Sequence, residues 1–436
     1  MVRLSVVFAV FSAVCTSVSL AQTESSELTP ALTGYVTRVA SNSDFDVNAI
    51  HVIQNSKTEI THGSIAGRTA GGSAFLGEQV SIYGRLDARK QTIQAKEIIF
   101  LSPRPDGLSG TAVIDRLLTS ATNGQLLFRA DGYLMQVHSS TKQAFSSPLT
   151  SLKDVQPNTW ITYHGTLDAS GHLTLDAITF SSNAISDREG KLLEKTDYDP
   201  SKVPPDSKQS VASKVLIGFD PKKVPPYDDP AMQERISRIG TSLIPAYQRS
   251  LAPQDPTRID FQFQVIDEAR FHDALALPSG VILVPQQVVK RLQNDSQIAT
   301  VLADNIACVL EKQGYRLNPA VTTMTAVNTA TVIGGLFVPG LGLTPFATGA
   351  AGKSIQTDLE NQSGRVSLGL LHDAGYDLEQ APIAWWILAS KPSHDWKKTK
   401  LPPRASNLYR TIGLVWKNYP DTAAGTNSST TTSSTN

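Results

Sequence analysis

The chain has 436 residues, 40% of them hydrophobic and 18% charged, with 39 basic side chains against 39 acidic ones. This balance excludes an acidic disordered chain and a basic nucleic-acid binder, and the length predicts two to four folded units. With only two cysteines, Cys15 and Cys308, a disulfide-stapled scaffold is excluded as well.

Residues 1–21 carry Arg3, an uncharged and mostly apolar run from Leu4 to Leu20, and the small-residue ending Ser19-Leu20-Ala21. The pattern predicts a cleaved secretory signal peptide and hence a periplasmic or secreted protein, with an uncleaved membrane anchor as the alternative. Loss of Cys15 with that segment leaves Cys308 without an intrachain partner.

From Thr33 to Phe180 short β-rich runs are punctuated by Gly, Asn and Asp. The element Gly84-Arg85-Leu86-Asp87-Ala88 recurs 81 residues on as Gly165-Thr166-Leu167-Asp168-Ala169, and each copy ends on an apolar strand at Phe100 or Phe180. Gly34-Tyr35-Val36 opens the first copy and Gly110-Thr111-Ala112-Val113 the second, which divides the region into β modules over 32–104 and 105–181. About five alternating strands in each suit a small closed or half-closed barrel. The pattern resembles the OB-like repeat domains of unknown function in bacterial envelope proteins. Barrels of that kind bind oligonucleotides, sugars or peptides, but no aromatic cluster interleaved with Lys or Arg marks these strands. A spacer or docking role is therefore expected, with no nucleic-acid partner.

A Pro-rich linker spans 182–230 and contains its own duplication, Asp199-Pro200-Ser201-Lys202-Val203-Pro204-Pro205 and Asp220-Pro221-Lys222-Lys223-Val224-Pro225-Pro226. Paired prolines favour an extended, semi-rigid backbone, read here as a stiff connector in preference to a docking strap. At the far end, residues 421–436 are nearly all Ser, Thr, Asn, Gly and Ala, and predict a disordered tail.

Over 231–420 the periodicity turns helical around a small sheet. Helices are predicted over Ile236–Leu251 and Val288–Gln313, an alternating strand over Ile259–Val265, and a buried strand over Gly280–Pro285. The block Asp273-Ala274-Leu275-Ala276-Leu277-Pro278-Ser279-Gly280-Val281-Ile282 resembles the cleft strand of zinc metallopeptidases of the HtpX, CAAX prenyl protease and BepA type. The run Asp295 to Ala303 resembles the lead-in to that family's zinc helix, and Glu360 through Gly375-Tyr376-Asp377 its third-ligand helix. The resemblance implies an α+β metallopeptidase-like domain after the two OB-like barrel modules, and does not extend to the modules themselves.

The family's His-Glu-x-x-His places two imidazoles one turn apart on Zn²⁺, with the Glu as general base. Here the same positions read Asp304-Asn305-Ile306-Ala307-Cys308, and Asn305 at the general-base position cannot take a proton from water. Glu360 stands at the third-ligand position, Gly364 replaces the Asp expected four residues later, and Lys400-Leu401-Pro402-Pro403 stands in place of a His-Pro element. No catalytic residue and no cofactor is therefore expected. The enzymatic alternative is a metalloendopeptidase using zinc on Asp304, Cys308 and Glu360. The ordinary reading of those residues is a packed thiol and a solvated or cation-paired carboxylate. Cys308 with His272 or His372 is a further, nucleophilic alternative.

No residue between Arg316 and Lys353 is charged, but Gly334-Gly335, Pro339-Gly340 and Pro345 interrupt a membrane-spanning pattern. A buried or flexible hairpin over the cleft is expected, with peripheral membrane contact through 321–351 as the functional version. The combined expectation is a pseudopeptidase that binds polypeptide or envelope partners, with Ala276, Leu277, Pro278, Ser279, Gly280, Val281 and Ile282 lining its groove by backbone pairing. A purely structural role, with the barrels binding a cell-wall glycan, is the third class.

Overall fold

The computed structural model of the chain describes residues 29–62, 74–101, 106–168, 170–196, 224–268, 271–316 and 350–419. The expected signal peptide, most of the Pro-rich linker, nearly all of the uncharged run and the Ser/Thr-rich tail lie outside the described residues. Among the described residues no helix is long and apolar enough to cross a membrane.

The first module contains β1 (Leu32–Ser41), β2 (Asp44–Val47), β3 (Ile50–Ile53), β4 (Glu59–His62), β5 (Gln79–Asp87) and β6 (Thr92–Phe100). The second contains β7 (Asp106–Leu117), β8 (Leu126–Ala130), β9 (Tyr133–Val137), β10 (Lys142–Phe145), β11 (Trp160–Leu167) and β12 (His172–Ser181). In the first, β3-β2-β1-β5-β6 forms an antiparallel run that a parallel β3–β6 pairing closes into a five-stranded barrel, with β4 as an extra strand parallel to β6. The second repeats this order with β9-β8-β7-β11-β12 closed by β9–β12 and extended by β10. Closure removes the free sheet edges that an open sheet of this size would leave. Each copy carries a bulge at the same motif, between Tyr83 and Gly84 or between His164 and Gly165.

The registers correct one alignment. Gly34 pairs with Val80, whereas Val80's counterpart Ile161 pairs with Ala112, so Ala112 and not Gly110 occupies the place of Gly34. Gly110 marks the spot where a Cβ would press on the Tyr163 ring, a local packing need that imitates the repeat.

The remaining residues form helices around a three-stranded sheet. The helices are α1 (Asp187–Thr196), α2 (Pro230–Leu243), α3 (Ala246–Ser250), α4 (Gln286–Arg291), α5 (Asp295–Leu310), α6 (Ala350–Asp373), α7 (Gln380–Ala389) and α8 (Pro403–Leu414). The sheet has the order β13 (Gln262–Ile266), β15 (Val281–Pro285), β14 (Leu275–Ala276), with β13 parallel and β14 antiparallel to the centre. Two long helices expected from periodicity are each broken. Pro245 lacks an N–H and forces Ile244 out of the helical region, which separates α2 from α3. Asn294 accepts a hydrogen bond from Gln297 N at 2.9 Å and caps α5 as a helix distinct from α4.

Every residue of α5 from Gln297 to Leu310 is buried, because the sheet, α2, α6 and α7 surround it. A helix buried on all sides carries polar groups only where partners meet them, and α5 has several. The linker also departs from a simple connector at its end: Val224 is fully buried, and Pro226 bridges Ile266 on the outer edge of β13. Tyr227 N donates to Val265 O at 2.9 Å and Asp267 N to Pro225 O at 3.2 Å. The sheet therefore has one edge covered by the chain itself and a second edge at β14.

Both barrels are packed on the helical unit. Gly77 and Gly171, both at positive φ, lie so close to α8 and the residue after it that a Cβ would stand 2.0 Å from Tyr409 O and 2.2 Å from Leu414 O. Arg129 of β8 is 1% exposed and donates to Asp115 at 2.9 Å and to Asp373 of α6 at 2.6 Å. Arg365 of α6 reaches the Asp131 carboxylate at 2.5 Å, and the buried Glu311 accepts from Val113 N at 3.2 Å.

Candidate functional site

Asp304 and Cys308 share one face of α5 a turn apart, both buried. Asp304 Oδ1 accepts from Ser363 Oγ of α6 at 3.1 Å, and its Oδ2 is held by the guanidinium of Arg404. The same guanidinium donates through Nη1 to Asp273 Oδ2 at 2.9 Å, immediately upstream of β14. It also stacks over the Trp385 ring of α7 at 3.2 Å from the centroid. Arg404 thus ties α5, α7, α8 and the β14 lead-in together through one planar cation. Its fork suits two carboxylates where an ammonium would not.

Burial raises the Asp304 carboxyl to about 6, with Asp273 and Glu360 adding to the rise and Arg404 opposing it. Burial likewise pushes the Asp273 carboxyl up, again against Arg404. For Arg404 burial works against the charge, but Asp304, Asp273 and Glu360 outweigh it and hold the guanidinium protonated more firmly than usual. Three acidic groups acting on one cation explain why both statements hold together.

Asn305 turns away from this cluster. Its Nδ2 donates to Val301 O in the preceding turn of α5 at 2.8 Å, so the side chain bonds back to its own helix. Burial, then Asp304, drive the Cys308 thiol well above its ordinary value. A thiol held protonated is a poor nucleophile. Cys308 packs instead with Ala276 and Val309 against half-buried Ile259 and Phe261. His272 is exposed, and His372 packs on Trp416 and Tyr419, with ring centroids 4.8 and 5.0 Å away.

Asp304, Cys308 and Glu360 do not offer converging ligand atoms. Among the described residues the one group of three or more His, Cys, Asp or Glu that does so is Asp44, Asp46 and His51 on β2 and β3. Arg38 of β1 already occupies that group, with Nη2 at 2.6 Å from Asp44 and Nε at 2.7 Å from Asp46. In both clusters an arginine is hydrogen-bonded to two of the carboxylates.

A cavity of about 250 Å³ opens beside the cluster. Ala276, Pro278 and Ser279 line it from β14 and its turn, Cys308 and Val309 from α5, and Lys312, Gly314 and Tyr315 from the segment beyond. Of the groove residues expected from the sequence, Ala276, Leu277, Gly280, Val281 and Ile282 are all buried, Ala276 being only 3% exposed and the last two lying in the central strand β15; Pro278 and Ser279 are half-buried. Leu277 N bonds inward to Val281 O at 2.8 Å, so by antiparallel alternation Ala276 turns its N–H and C=O away from β15.

Sequence reasoning did not single out Asp273, Ser363, Trp385 or Arg404 as site residues. Asp273 begins the quoted cleft-strand block, and Arg404 directly follows the Pro402-Pro403 pair that marks the start of α8. The available signal was an arginine beside a stretch expected to face the cleft. Nothing in the spacing tied it to residues 100 and 131 positions earlier. No protein-family model matches the chain, and no curated protein matches its sequence.

Proposed function

We propose that the protein is a non-catalytic polypeptide-binding protein of the cell envelope, periplasmic or secreted, built from two OB-like barrels and a metallopeptidase-like domain without catalytic apparatus. The observation that carries the loss of catalysis is Arg404. Its side chain supplies the positive charge between Asp273 and Asp304, and a fixed guanidinium has no exchangeable water to activate. Asn305, bonded back to Val301, offers no general base in its stead.

What supports polypeptide binding is the sheet. The outer edge of β13 already pairs with an extended, Pro-containing stretch of this chain at Pro225–Tyr227. At the other edge Ala276 turns its backbone groups away from β15, next to a cavity large enough for one or two apolar side chains; the residue is 3% exposed and packs on Cys308 and Val309, so a strand added there must part that contact. Main-chain pairing at an edge, with a pocket for alternate side chains, is how strand addition achieves affinity and selectivity.

A fluorescein-labelled nonapeptide of alternating Val and Thr tests this by fluorescence anisotropy on the full chain. Binding is expected to be indifferent to EDTA, to leave the peptide intact by mass spectrometry, and to weaken at least tenfold in Ala276→Pro. That substitution removes an outward donor and leaves the inward ladder bond in place. Zinc-dependent cleavage of the peptide would overturn the reading, as would binding unchanged by Ala276→Pro.

A further inference from the structure

The chain leaving β12 supplies a second wall of the same cavity. Asn183, Ile185, Glu189 and Leu193 face it from the strap formed by residues 182–186 and α1. Ala276, Pro278 and Ser279 face it from the β14 side. A polypeptide laid along the outer edge of β14 and reaching into the cavity therefore meets the strap.

Among the described residues the strap is held by an ion pair and a set of hydrogen bonds. Of residues 187–194 Glu189 is buried, while Gly190, Leu192 and Leu193 are half-buried. Lys312 Nζ lies 3.0 Å from Glu189 Oε1 and 3.1 Å from Oε2, and donates to the carbonyls of Asn183 and Ala184 at 3.3 Å. Ser186 Oγ donates to Tyr315 OH at 3.2 Å and accepts from Glu189 N at 3.2 Å. Lys312 itself has φ 50°, a left-handed turn directly after α5, and its ammonium lies 6.0 Å from the Trp160 ring centroid of the second barrel. Desolvation offsets much of the attraction within a buried ion pair, and half-buried apolar side chains such as Leu192 and Leu193 gain less from packing than fully buried ones. Closure of such a strap lies within the range that a ligand can shift.

We propose that residues 182–196 act as an intramolecular brake on the polypeptide site: with Glu189 on Lys312 the strap walls off the cavity beside β14 and restricts entry to it, and an extended polypeptide binds fully when that pair parts. This rests on the polypeptide-binding reading and specifies its regulation. Because the strap joins the second barrel to the helical unit, a pull on that barrel or on the linker would bear directly on the site.

The test uses the full chain, the Val/Thr nonapeptide, and hydrogen exchange of the α1 amides. Glu189→Gln removes the charge at near-constant shape and is expected to speed α1 exchange and to tighten peptide binding about tenfold, the factor for a strap closed about nine-tenths of the time. Saturating peptide is expected to speed α1 exchange in the native protein. Lys191→Pro, at an exposed position inside α1, opens the helix without touching the ion pair and serves if Glu189→Gln leaves exchange unchanged. Faster α1 exchange with unaltered affinity, in whichever variant opens the strap, would overturn the brake while leaving the polypeptide site standing. Absence of peptide binding in native and opened proteins alike would remove both.

Discussion

Arg404 holds two carboxylates with one guanidinium, and its removal would leave Asp273 and Asp304 as unpaired buried acids. Arg404→Ala is expected to cost about 3–5 kcal/mol in urea unfolding, because breaking a buried pair strands its partner. Arg404→Lys should recover only part of that, since an ammonium does not reach both acids in the same plane. A loss below about 1 kcal/mol for Arg404→Ala would contradict the arrangement. Asp304 makes a pH prediction of definite sign. Its carboxyl titrates near 6 in the folded chain and at the ordinary 3.8 when unfolded, so between those values the folded state holds the extra proton. Stability from this group is greatest below pH 4 and falls as pH rises through 6, by about 2–3 kcal/mol at roughly 1.4 kcal/mol per unit. Asp304→Asn should flatten that part of the urea-derived stability profile relative to the native protein. A steeper fall in the variant would contradict the assignment.

At the scale of elements, periodicity identified the helical stretches, and capping chemistry decided where they end. The apolar pattern runs through Ile244-Pro245 and through Leu292-Gln293-Asn294 without a change of phase. The breaks come from a missing N–H in one case and a side-chain cap in the other. Asn294→Ala should therefore cost about 1 kcal/mol, measurable by thermal unfolding, and Asn294→Ser should restore most of it. The C-terminus of α6 was legible in Gly375. It sits at φ 76°, and Tyr376 N closes onto Leu371 O at 2.9 Å, a turn that glycine adopts without strain. The duplication was legible through the Gly-x-Leu-Asp motif and its bulge, while the opening glycines misled because they answer to separate contacts.

For the whole molecule, the decisive feature is how the barrels sit on the helices. Leu86 and Leu167 hold the same place in one motif, yet Leu86 is 40% exposed and Leu167 only 3%. Leu167 belongs to a core cluster that takes in Leu414 and Val415 from the helical unit. The buried Arg129 draws one acid from its own barrel and one from α6, so separating the two units would strand charge on both sides. The tryptophan emission of the chain and its far-ultraviolet circular dichroism are accordingly expected to change together in a single urea transition. Trp160 lies in the second barrel, and Trp385 and Trp386 in α7. Gly171→Val should lower that midpoint by straining a φ of +85° and pressing on the Leu414 carbonyl. Two resolved transitions would show that the interface carries no such coupling.

The sequence by itself determined the alternation that makes strands, the duplication that makes two barrels, the helical character of the stretch that contains α5, and the absence of His-Glu-x-x-His. Those properties are local, or depend on spacing along the chain. Only the tertiary structure decided what fills the space beside Asp304, because Arg404 arrives there from 100 positions away by the packing of α8 on α6 and α7. It also decided which of the groove residues face a cavity and which lie in the sheet, since one edge strand of two residues takes its inward and outward sense from a neighbour and not from its own pattern.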